Sequence, residues 1–219
     1  MITPITAPEV STMKRTILLA FIALFAAVGG FLIWQIWNGG QTAHAPQTSS
    51  GTALIGGPFS LTDHRGQPVT EAQLQGKYTL IYFGYSFCPD ICPTELQVIG
   101  AALDQLQLQA PDKASKLQAF FITVDPERDT QAVLADYVPH FHPKLVGLTG
   151  STEEIAAAAR AYRIYYAKVD PEAGAPADYY FMDHANLIYL MGPDGGFLTH
   201  FSYGVDANAL THRLIAEIN

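Results

Sequence analysis

Thr79-Leu80-Ile81-Tyr82-Phe83-Gly84-Tyr85-Ser86-Phe87-Cys88-Pro89-Asp90-Ile91-Cys92-Pro93 is the stretch on which the fold turns. It opens with an apolar, β-rich run, Thr79 to Tyr85, and feeds a helix-like segment over Pro93 to Leu108. A second run, Leu117 to Val124 (LQAFFITV), is followed by a helical segment at Gln131 to Tyr137, completing a β-α-β pattern. A third run at Leu145 to Leu148 precedes a helix opened by Ser151-Thr152-Glu153-Glu154, whose Ser and Glu spacing suits a capping box. Leu187 to Met191, the turn Gly192 to Gly196, and Phe197 to Tyr203 predict an antiparallel hairpin, closed by a helix from about Asp206. Parallel strands ending in a hairpin and a helix predict an α/β, thioredoxin-like sandwich. Such a fold hosts many functions and assigns none.

Outside this domain, Ile17 to Trp37 runs 21 residues without a charge, long enough to cross a hydrocarbon core of about 30 Å. We therefore expect one N-terminal transmembrane helix over residues 17–37. Lys14 and Arg15 precede it, and no Lys or Arg occurs from Asn38 to His64, so residues 1–16 are expected in the cytoplasm. Ala43-His44-Ala45 resembles a signal-peptide cleavage site, but the apolar core is too long for a signal peptide and Pro46 follows the site poorly. Residues 38–55, rich in Thr, Ser, Gly and Gln, read as a flexible tether, and residues 56–219 as the folded domain. With 49% hydrophobic and 15% charged residues, the chain is too apolar for disorder. A net charge of −8 and the lack of a basic stripe exclude nucleic acid as a partner class.

The chain's two cysteines lie four apart, directly after a strand and directly before a helix. Pro89 and Pro93 push the preceding cysteines out of the α region, so the segment reads as a loop in which a turn brings the two sulfurs together. Pro93 suits the first helical position, which makes Cys92 the expected N-cap, with its thiol pKa lowered by the helix terminus. Such a thiolate serves as a soft metal ligand or as a redox nucleophile; a permanent disulfide is the third reading. A bridge closing so short a loop adds little stability, which counts against it.

Two thiolates suffice for Cu(I), but a site that also holds Cu(II) wants a nitrogen donor. Among seven histidines, His184 stands out: it follows Asp183 and precedes the strand at Leu187, in the segment that passes beside the redox loop of thioredoxin-like folds. His44 lies in the tether, His64 in an early turn, and His140 and His142 in a Pro-flanked loop where a solvated side chain is expected; His200 and His212 read as surface residues.

Taken together, Gly84 to Pro93 resembles the copper loop of the Sco/SenC assembly factors. Gly57-Pro58-Phe59-Ser60-Leu61, Val124-Asp125-Pro126-Glu127-Arg128-Asp129-Thr130, Asp183-His184 and Tyr189 to Gly195 follow in the order this family shows. The family often has Thr-His before the first cysteine, where this chain has Ser86-Phe87. The resemblance implies a membrane-anchored thioredoxin-like domain that binds Cu(I) or Cu(II) through Cys88, Cys92 and His184 and matures the copper site of cytochrome c oxidase. Asp90 and Asp183 are candidates to orient that site. Asp125 to Thr130 reads as a strand-end loop whose Asp129 or Thr130 caps the next helix.

The expected mechanism is ligand exchange, in which copper passes to an apo-site on the copper-receiving oxidase subunit. A thioredoxin-like reductase or another copper chaperone is expected as a further partner, because loading needs reduced cysteines. The rival reading is a thiol-disulfide oxidoreductase, although exchangers usually present Cys-x-x-Cys and a docking proline where His184 stands. A peroxidase would need a basic pocket, and no Arg or Lys occurs between Lys77 and Lys113. No transit peptide is evident, so the expected location is a bacterial inner membrane with the domain in the periplasm.

Overall fold

The computed structural model describes residues 19, 24, 27–31, 34, 55–169, 176 and 179–219. The chain divides into two units, Met1–Gly51 and Thr52–Asn219. In the first, Leu19, Leu24, residues 27–31 and Trp34 are helical. Among the described residues no helix is long and apolar enough to cross a membrane. Most of the span expected over 17–37, and the tether apart from Ile55, lie outside the described residues.

The second unit is a mixed α/β, thioredoxin-like fold. Its strands are β1 (Ser60–Asp63), β2 (Pro68–Thr70), β3 (Tyr78–Gly84), β4 (Leu117–Thr123), β5 (Leu145–Thr149), β6 (Tyr166–Val169), β7 (Phe181–His184), β8 (Leu187–Met191) and β9 (Phe197–Ser202). Its helices are α1 (Ile91–Gln109), α2 (Pro111–Ala114), α3 (Gln131–Tyr137), α4 (Thr152–Ala161) and α5 (Ala207–Glu217). Seven strands form one sheet in the order β2-β1-β5-β4-β3-β8-β9, and β6 pairs with β7 in a separate ribbon. β3, β4 and β5 run parallel, and β8 returns antiparallel to β3.

All seven residues of β3 are buried, because helices cover both faces of the central strands. Tyr82 stacks on Phe121, which meets Tyr137 at the end of α3, so this face lies under α1 and α3. On the opposite face Phe83 and Tyr189 meet Tyr162 beyond α4. Each fully buried aliphatic or aromatic side chain stabilises this core by about 1.5–3 kcal/mol through apolar burial.

The predicted capping box opens α4: the Ser151 hydroxyl accepts from Glu154 N–H at 3.2 Å, and the Glu154 carboxylate accepts from Ser151 N–H at 2.7 Å. The hairpin β8–β9 and the closing helix α5 also match the sequence reading, and Asp206 caps that helix by accepting from Ala209 N–H. The β6–β7 ribbon is the addition, and it places the site's histidine.

Candidate metal centre

β3 ends at Gly84, and the chain turns over Tyr85 to Asp90 before entering α1. The buried carboxylate of Asp129 fastens this turn, accepting from Ser86 N–H at 3.0 Å, from the Ser86 hydroxyl, and from the Thr123 hydroxyl at 2.6 Å. Cys92 was expected as the N-cap. Instead Asp90 holds that position and Cys92 lies within the first turn of α1. Pro93 is accepted there because the first four N–H groups of a helix have no intrahelical acceptor, so its missing donor removes no bond.

The shift carries Cys92 inward, to 0% exposure, while Cys88 stays half-buried. Gly84 makes the room: a Cβ there would stand 2.9 Å from Cys92 Sγ and 3.0 Å from the Phe121 ring. Both cysteines are free thiols, not a bridge.

The expected acidic thiol is also exchanged. Cys88 is lowered to about 5, first by the Cys92 thiol donating to it, then, against its own desolvation, by the N–H groups of Cys92, Asp90 and Ile91. The Cys92 N–H lies 3.4 Å from Cys88 Sγ, so the helix terminus points at Cys88. Cys92 moves up from the ordinary thiol value, because it gives its hydrogen bond to Cys88 and because it is buried.

His184 closes β7, paired across the ribbon with Tyr166, and meets the Tyr82 and Tyr85 rings edge-on at 6.3 and 6.0 Å. Its Nε2 stands 3.4 Å from Cys92 Sγ, and its Nδ1 3.1 Å from the Ala185 carbonyl. A carbonyl only accepts, so Nδ1 carries the proton and Nε2 turns its lone pair towards the sulfur. Metal–sulfur and metal–nitrogen bonds of about 2.3 and 2.0 Å at a tetrahedral angle put the two donors roughly 3.5 Å apart. The Cys92–His184 pair has that spacing. Among the described residues no three His, Cys, Asp or Glu side chains form a ready-made metal cluster. The contacts run in series, from Cys88 to Cys92 to His184.

Asp90 and Asp183 line the same cleft of about 290 Å³ with Tyr85, Cys88, His184 and Asn186. The orienting bond to His184 comes from the Ala185 carbonyl, a backbone group that no sequence pattern marks. The remaining described histidines serve elsewhere: His64 Nδ1 accepts from Gly147 N–H, and His140 lines a separate cavity with Ser86 and Asp136. His142, expected in solvent, is 8% exposed and accepts from Lys144 N–H at 3.0 Å.

Asp125 to Thr130 was read as a cap, and Thr130 does cap α3, accepting from Val133 N–H at 3.3 Å. Its neighbours do more. Asp129 fastens the cysteine turn, and Arg128 pairs with Asp125 and reaches Tyr180 ahead of β7. These partners lie 43 and 52 residues away in sequence, so no local signal announces them beyond the Asp125/Arg128 spacing itself.

Fold and site together define a class, a thioredoxin-like domain with a free dithiol and a histidine converging on one cleft. Residues 47–219 match the SCO1/SenC family, and the chain belongs to that family. Over 209 residues it is 40% identical to protein SCO1 homolog 1, mitochondrial, of Arabidopsis thaliana, covering 91% of this chain and 60% of that relative's length. The crystal structure of Arabidopsis thaliana ScoI with copper bound superposes with a TM-score of 0.69 at 45% identity, covering 75% of this chain and 98% of that one. The structure of Bradyrhizobium japonicum ScoI with copper bound gives 0.65 at 44% identity, covering 74% and 98%.

Proposed function

We propose that this chain is a copper carrier that holds Cu(I) or Cu(II) through Cys88, Cys92 and His184 and delivers it to the copper site of cytochrome c oxidase. The observation that carries the reading is the 3.4 Å approach of His184 Nε2 to Cys92 Sγ, with Nδ1 committed to the Ala185 carbonyl. Two relatives of 44–45% identity solved with copper support the choice of ion. Residues 17–37 anchor the domain on the periplasmic face of a bacterial inner membrane. The partners are the copper-receiving oxidase subunit and a reductase or chaperone that keeps the thiols loaded.

The second reading, thiol-disulfide exchange, has one observation in its favour: an acidic, half-exposed Cys88 beside a buried Cys92 of raised pKa is how an attacking and a resolving thiol divide their work. The full chain, reduced and titrated with Cu(II), separates the two. A thiolate-to-copper absorption band that saturates at one equivalent, is lost in Cys88→Ser and Cys92→Ser, and is altered in His184→Ala is the expected result. Failure to bind stoichiometrically, together with rapid reduction of a protein disulfide, would replace the carrier with the oxidoreductase.

A further inference from the structure

Arg128 stands between the two halves of the site. Its guanidinium carbon lies 3.7 Å from the centroid of the Tyr180 ring, 4.5 Å from that of Phe87 and 5.8 Å from that of Tyr85. Nε pairs with the Asp125 carboxylate at 2.5 Å, and Nη1 donates to the Tyr180 carbonyl at 2.9 Å. The Tyr180 hydroxyl donates to the other Asp125 oxygen at 2.8 Å, closing the group on itself. Nη2 is buried without a hydrogen-bond partner among the described residues, so beyond the Asp125 carboxylate the charge is met by the aromatic faces around it. Only a planar cation can stack on rings and fork to a carboxylate and a carbonyl at once, which a lysine cannot do.

The placement matters because β7 has no ladder to the main sheet. Its position over the cysteines is therefore set by side-chain contacts, one of them midway, where Tyr85 meets the Met182 backbone, and the others at its two ends. Past His184 the chain enters β8, locked to β3, and Asn186 accepts from the Tyr82 hydroxyl at 3.0 Å. Ahead of β7, Phe87 meets Tyr179 edge-on at 5.9 Å and Lys168 lies 3.6 Å from the centroid of the Tyr180 ring, but the group that joins both sides is Arg128, which grips Tyr180 on one side and Phe87, the neighbour of Cys88, on the other.

We propose that Arg128 is a positioning residue that fixes the gap between the histidine strand and the cysteine loop. It thereby governs whether His184 completes the site for Cu(II), and leaves two-sulfur capture of Cu(I) untouched. The proposal rests on the copper-carrier reading above.

The test uses the full chain and two probes, Cu(II) alone and Cu(I) alone, in wild type, His184→Ala, Arg128→Gln, Arg128→Lys and the double variant Arg128→Gln/His184→Ala. Wild type should show nitrogen coupling in the electron paramagnetic resonance spectrum of Cu(II), lost in His184→Ala. In Arg128→Gln that coupling should be lost or reduced and Cu(II) affinity should fall at least about tenfold, while Cu(I) affinity stays within about threefold. Arg128→Lys should not restore the coupling, and the double variant should bind Cu(II) no more weakly than His184→Ala, because both changes remove the same ligand. Phe87→Leu alters a side chain that is 44% exposed, so the core is not at risk, and should weaken Cu(II) by about threefold. Wild-type coupling in Arg128→Gln, or equal weakening of both ions, overturns the positioning role. If Arg128→Gln does not fold, Phe87→Leu decides alone, and an unchanged spectrum overturns it. A wild type without His184-dependent coupling removes the ligand reading itself, which is visible before any Arg128 variant is compared, and the positioning role goes with it.

Discussion

Every residue of β3 is buried, and no residue of the β6–β7 ribbon is. The cysteines hang from the end of the first element and the histidine from the end of the second. A proposed ligand set divided in this way separates what the fold needs from what the site needs. Damage to the sheet should therefore remove the domain, and damage to the ribbon should leave a stable domain with a rearranged cleft.

The largest effect should come from the sheet. Phe121 is 0% exposed, stacks on Tyr82 and meets Tyr137 at a tilt, so Phe121→Ala should cost about 3–5 kcal/mol of unfolding free energy in urea. A loss under about 1 kcal/mol would mean that the sheet is not the rigid half.

Next comes the boundary between the regions, where the two cysteines differ. Cys88 loses its proton with a midpoint near pH 5, so alkylation by iodoacetamide should rise through that pH and level off above it. At pH 7 Cys88 should react at least about tenfold faster than the buried Cys92, read by peptide mass spectrometry. Equal rates, or a midpoint in the ordinary thiol range, would erase the distinction.

The smallest effect belongs to the ribbon. His184→Ala should change unfolding free energy by under about 0.5 kcal/mol, since the residue is half-exposed and sits outside the main sheet, even as copper binding changes. A loss comparable to that of Phe121→Ala would show that ribbon and sheet fold as one body.

The same division decides how much could be read in the sequence. TLIYFGY and LQAFFITV announce β3 and β4 because a strand covered on both faces is apolar at every position, and Ser151-x-x-Glu154 announces α4 because its partners are three residues apart. The ribbon strands, Tyr166–Val169 and Phe181–His184, are short and mix polar with apolar residues, so nothing separates them from loop. His184 was legible from its place before β8, but its orientation was not, because a backbone carbonyl supplies it. The start of α1 was misplaced because Pro93 fits the first helical position as well as the third, and that choice reversed the two thiols. Arg128 stayed hidden because the rings that hold it come from segments that meet only in the folded chain.

The void that Gly84 leaves for Cys92 has a kinetic corollary. One sulfur sits at the rim and the other beneath it, so a carried ion would have a front door and an anchor. If the chain carries copper as proposed, an incoming ligand from a partner would meet the half-buried Cys88 first, and the buried Cys92 would be the last contact surrendered. Handover would then follow a fixed order, with its residence time set by the deeper sulfur.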